Sequence, residues 1–138
     1  MKKALLLFLI VFNSLAFAQN TPKENIKYVK ITQKKCLKKS GCQIVFKELV
    51  SDSRCPAGVT CVWAGEASAI VSLYKDSKLV EEKTIVFSMK NIEENKQWFS
   101  KYLPVKQRKI KTVGVFPYPK QGVIGNKKDY YIKIGYVK

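Results

Sequence analysis

The sequence predicts a mainly β protein, an antiparallel β-sandwich or barrel-like domain with one short helix. Three observations lead there. Short runs rich in Val, Ile, Thr, Phe and Tyr alternate with turn residues from residue 26 to the end. Only residues 91–103 carry the punctuation of a helix. About six or seven strands at this spacing suggest an antiparallel sandwich or barrel.

Taken in order, residues 1–18 read as a signal peptide. Lys2 and Lys3 precede an apolar run over residues 4–12, and Ala16-Phe17-Ala18 supplies a small-x-small cleavage pattern. The run is shorter than the roughly 20 apolar residues of a membrane span, and no Cys follows it to accept a lipid anchor. The expectation is a single β-rich domain over residues 19–138, secreted or periplasmic, monomeric, with no integral span in the mature chain. Residues 20–25 form a polar leader. Residues 28–32 alternate weakly. Residues 43–50 are apolar on both sides, with Ile44, Phe46 and Val50 opposite Val45 and Leu49, which suggests a central strand. Residues 66–74 alternate, Ala67, Ala69, Val71 and Leu73 taking one face. Asp76-Ser77-Lys78 turns the chain, and residues 79–88 return as a hairpin arm. Asn91 as cap and Glu94 three residues on open the helix, Ile92, Phe99, Tyr102 and Leu103 share its apolar face, and Pro104 ends it. Residues 109–116 and 129–137 again alternate, joined by a long connection.

The chain holds 26 Lys plus Arg against 10 Asp plus Glu and no His. Without His there is no Ser-His-Asp triad, no Cys-His pair and no HExxH zinc site. The carboxylate doublets Glu81-Glu82 and Glu93-Glu94 diverge, on a strand or a helix alike, and make no acid/base dyad. No Gly-rich phosphate loop or GxSxG elbow is present. A non-catalytic protein without cofactor or metal is therefore expected. The basic excess peaks at Lys34, Lys35, Lys38 and Lys39, a candidate anion-binding patch, and again at Lys106, Arg108, Lys109 and Lys111. Arg occurs only at positions 54 and 108, which disfavours sequence-specific nucleic-acid reading.

The four cysteines, Cys36, Cys42, Cys55 and Cys61, are spaced too widely for common zinc knuckles and suit disulfides in an exported chain. Cys42 opens the 43–50 strand and Cys55 lies past its end. Eight residues at about 3.3 Å separate those points by about 26 Å, far beyond the roughly 7 Å that a disulfide spans between Cα atoms. The local pairs Cys36–Cys42 and Cys55–Cys61 are expected.

The most distinctive stretch is residues 51–67, SDSRCPAGVTCVWAGEA. Asp52 and Ser53 can accept backbone N–H bonds in a turn. Arg54 can pair with Asp52 or Glu66, and Gly65 permits a bulge or a close backbone approach. On one reading this is a rigid corner in which Trp63 caps the core. On the other, Asp52, Arg54, Trp63 and Glu66 form a preformed recognition loop. The run Asp52-Ser53-Arg54-Cys55-Pro56 followed by Cys61-Val62-Trp63-Ala64-Gly65 resembles a motif of a family of small exported bacterial proteins, often lipoproteins, of unknown function. The likeness implies an exported β-rich protein and brings no catalytic residues. The expected role is a binding or accessory module at the bacterial envelope or outside the cell, its partner a protein or an anionic glycan. A secreted protease inhibitor using the Cys55–Cys61 loop is the alternative. An aromatic-lined pocket around Trp98, Tyr118 and Tyr130 would mark a ligand binder.

Overall fold

The computed structural model describes residues 24–33 and 40–138. The 1–18 leader, Cys36 and the patch Lys34, Lys35, Lys38 and Lys39 lie outside the described residues. The strands are β1 (Ile26–Ile31), β2 (Cys42–Asp52), β3 (Ala67–Lys75), β4 (Lys78–Phe87), β5 (Ile110–Phe116) and β6 (Tyr131–Val137). Among the described residues a single α-helix, α1 (Ile92–Tyr102), separates β4 from β5. The strands form two antiparallel three-stranded sheets, ordered β1-β6-β5 and β2-β3-β4. The mainly β, antiparallel class with one short helix is as the sequence predicts.

Both sheets and the helix bury one common core. Phe46, Ala69, Val71 and Ile85 come from the second sheet, Val115, Ile132 and Ile134 from the first, and Phe99 from α1. The small residues at positions 67 and 69 let the layers approach where the bulkier Phe46 and Phe99 fill the space.

Strand β2 is an edge, not the central strand its two-sided apolarity suggests; β3 holds the centre. The reason is two register shifts, between Phe46 and Glu48 and between Leu49 and Ser51. Each inserts one unpaired residue and rephases the strand. Phe46 and Leu49 thereby both reach the core, while Val50 is left exposed. The β3–β4 hairpin turns at Asp76 and Ser77, both with positive φ, as a two-residue turn requires. Helix α1 starts without the Asn91 side-chain cap expected from sequence. Ser88 Oγ donates to Asn91 Oδ1 at 2.6 Å instead, across a short 3-10 turn, Met89–Asn91, that precedes the helix. Glu93 and Glu94 in the first turn and Lys101 in the last complement the helix dipole. Asn95, buried under the helix, donates to the Val86 carbonyl at 2.8 Å and ties α1 to β4.

Three connections gather at one end of the molecule. Strands β2 and β4 finish and β3 begins at one end of their sheet, and β5 finishes and β6 begins at one end of the other. Bonds from Arg54 to the Val115 carbonyl and from Ala57 N to the Pro119 carbonyl bring those two ends together. Of the large hydrophobic side chains left exposed on the molecule, Val59, Val62, Trp63, Met89, Tyr118, Val123 and Ile124 lie in these connections.

Candidate recognition loop

The connection between β2 and β3 is an extension of their hairpin rather than a free loop. Ser53 N donates to the Glu66 carbonyl at 2.8 Å and Cys55 N to the Ala64 carbonyl at 3.0 Å. Ser53 Oγ also donates to the Glu66 carbonyl. Gly65 has φ +69°, and a Cβ built there would overlap the Ser53 carbonyl. Only glycine fits that close approach. Farther out, Cys55 and Cys61 form a disulfide with Cα atoms 5.9 Å apart, as the spacing argument expects. Among the described residues Cys42 is a free, exposed thiol; its expected partner Cys36 lies outside them.

Arg54 fastens this extension to the other sheet. Its guanidinium grips Asp52 with both prongs, Nε to Oδ1 at 2.8 Å and Nη2 to Oδ2 at 2.6 Å. Nη1 donates to the Val115 carbonyl and Nη2 to the Pro117 carbonyl at 3.1 Å. Tyr118 covers the guanidinium, its ring centre 4.8 Å away. Both charged side chains are only 9% exposed. Beyond this clasp, Ala57 N donates to the Pro119 carbonyl at 2.9 Å, bridging the two connections.

The four loop residues singled out from sequence therefore divide. Asp52 and Arg54 form the anchored base, out of reach of a partner. Trp63 does not cap the core; it is 82% exposed, with Val62 beside it 99% exposed. Glu66 is exposed at the foot of the loop and offers its backbone to Ser53. Met89, which sequence reasoning passed over, is 76% exposed in the turn before α1. Trp63 and Met89 share a depression with Ser53, Glu66 and Lys90. Met89 also borders a groove of about 240 Å³ whose walls include Phe87, Ile92, Val113 and Tyr118.

Other expected features fall elsewhere. Tyr118 lines that groove, but Trp98 packs on the helix against Phe99 and Tyr102, and Tyr130 is buried in the core. The three aromatics do not form one pocket. Glu81 accepts a hydrogen bond from Tyr102 Oη, whereas Glu82 accepts from Lys47 and Ser72. Glu93 and Glu94 meet Lys96 and Lys83. The second basic run also splits. Arg108 donates to the Leu103 carbonyl, while Lys109 and Lys111 border a depression with Lys27 and Lys138. The described residues contain no group of three or more Cys, Asp or Glu placed to hold a metal ion. Searches of protein-family profiles, of curated proteins and of solved structures find nothing that matches this chain.

Proposed function

We propose that this protein is a non-catalytic binding module acting outside the cytoplasm, and that it docks a partner protein through the end formed by Val62, Trp63 and Met89. The carrying observation is a large aromatic side chain held in water on a loop whose base is immobilised. A bidentate ion pair lies below Trp63, and a disulfide and a cross-sheet backbone bridge flank it. Ordering such a loop in advance lowers the entropic cost of association, and aromatic anchors dominate binding energy at interfaces. The groove beside Met89 has the size for one aliphatic or aromatic side chain of the partner. The disulfide and the leader-like residues 1–18 support an oxidising, exported setting.

A photo-crosslinking residue at position 63 tests this reading against one at position 79, on the distant β3–β4 hairpin. A protein crosslinked from the native secretome at 63 and not at 79 is expected, with its capture abolished by Met89→Asp at unchanged melting temperature. Equal crosslinking at both positions, or none at 63, overturns it. The braced ring from Cys55 to Cys61 with Val59 exposed also favours a second reading, a protease inhibitor. Stoichiometric inhibition of a secreted serine protease, lost in Cys55→Ser with Cys61→Ser, would establish that one.

A further inference from the structure

The outer face of the sheet β1-β6-β5 carries an arrangement that the loop end does not explain. Lys30 and Lys133 are direct cross-strand partners. Their neighbours in the core-facing register, Ile31, Ile132 and Ile134, are buried, so alternation places both lysines on the outer face. Like charges directly opposite on adjacent strands repel, yet neither ammonium meets a carboxylate. The acidic side chains of the chain all fall within the described residues, and the ion pairs they make involve other cations. No strand of this sheet contains an acidic residue.

Aromatic rings hold the two ammonium groups in place. Lys133 Nζ lies 4.2 Å from the ring centre of Tyr28 and 5.4 Å from that of Phe116. Lys30 Nζ lies 4.9 Å from that of Tyr131, which stacks on Phe116 at 6.0 Å. Such cation–π contacts fix a lysine head without using its N–H donors. Gly114, the other cross-strand neighbour of Lys133, raises no side chain beside it. The result is a surface on which two cations, in no ion pair among the described residues, sit beside aromatic rings. The same sheet ends in a depression of about 800 Å³ bordered by Lys27, Lys109, Lys111 and Lys138. Its one carboxylate, Glu24, is already paired with Lys111 at 2.8 Å. Lys27 lies three positions before Lys30 on β1, roughly 10 Å at about 3.3 Å per residue and on the opposite side of the strand, so only an extended chain that passes round the end of the sheet reaches both clusters.

We infer that this face binds an anionic polysaccharide, with Lys30 and Lys133 as the central anion site. A stacked base needs a free ring face. Here Tyr28 and Tyr131 each carry a lysine head on their ring, and Phe116 stacks on Tyr131. What is offered is ammonium donors and phenolic hydroxyls, the groups that hold carboxylates, sulfates and sugar hydroxyls.

The test is affinity of the full mature chain at 150 mM salt for heparin (sulfated) and polygalacturonate (carboxylated). Dextran serves as the neutral polymer and oligo-dT as the nucleic-acid arm. Lys30→Gln with Lys133→Gln removes a repelling pair and should fold; circular dichroism and melting temperature verify that. Lys75→Gln with Lys78→Gln, at the exposed hairpin turn, makes the same change in net charge elsewhere. Loss of at least about tenfold in affinity for one or both anionic polymers is expected in the first pair, since charge-assisted hydrogen bonds go missing. Less than about twofold is expected in the second. The heparin and polygalacturonate arms separate sulfate from carboxylate preference. Equal losses in the two pairs, binding of oligo-dT alone, equal binding of dextran, or no binding at 150 mM salt overturns the inference.

Discussion

Arg54 connects two parts of the chain that are far apart in sequence. Asp52 is two residues away, while the Val115 and Pro117 carbonyls are 61 and 63 residues away. Removing the guanidinium leaves the Asp52 carboxylate buried and two carbonyls without their donor. Arg54→Ala is therefore expected to cost about 3–5 kcal/mol in urea denaturation. Arg54→Lys should recover only a minor part, because an ammonium cannot span the fork. Gly65→Ala should destabilise more than Gly58→Ala, which also has positive φ but opens onto empty space and should cost about 1 kcal/mol. At the surface, the Glu82 carboxylate bonded to Lys47 raises the lysine above its ordinary 10.5. A raised folded-state value stabilises the fold fully below the ordinary value and loses that contribution as pH climbs through the raised one. The stability difference between the wild type and Lys47→Met should accordingly shrink above about pH 10.5. Asp52 was one of the two partners, with Glu66, that the sequence offered Arg54, since a residue pair two apart in a turn is a local matter; the structure decides for Asp52. The carbonyl partners were not legible in sequence, because nothing local says which strand end will lie opposite.

At the level of elements, the hairpin β2–β3 and its extension set the geometry of the loop end. The Cys55–Cys61 ring closes seven residues, and the loop-entropy relation gives it about 2.4 kcal/mol. Cys55→Ser with Cys61→Ser is expected to lower stability by no more than that, since Arg54 and the Ala57–Pro119 bond still pin the base. Hydrogen exchange should show the backbone amides at positions 53 and 55 still protected in that variant. Strand positions, the hairpin turn and the helix were readable to within a few residues because period and turn chemistry are local signals. The edge position of β2 was not. A bulge shifts which residues face inward, and a bulge is defined by the partner strand rather than by the strand itself. The missing Asn91 cap has a local origin instead: Ser88, three residues earlier, takes that side chain across the 3-10 turn.

For the whole molecule, Phe99 is where the layers meet. It is fully buried in a cluster that includes Phe46 and Val71 of one sheet and Val115, Ile132 and Ile134 of the other. Phe99→Ala is expected to cost about 3–5 kcal/mol. Because both sheets share that core, far-ultraviolet circular dichroism and Trp fluorescence should still report one coincident transition. The sequence by itself determined the β class, the single helix, the local disulfide, the absence of imidazole chemistry and the excess of lysine. Composition, period and short spacings suffice for these. Only the tertiary structure decided that Arg54 is an anchor and Trp63 is the exposed group. It alone placed Met89 beside Trp63 and set Lys30 against Lys133. Each of these depends on register between segments distant in the chain, and register is fixed by which faces bury together in the one shared core.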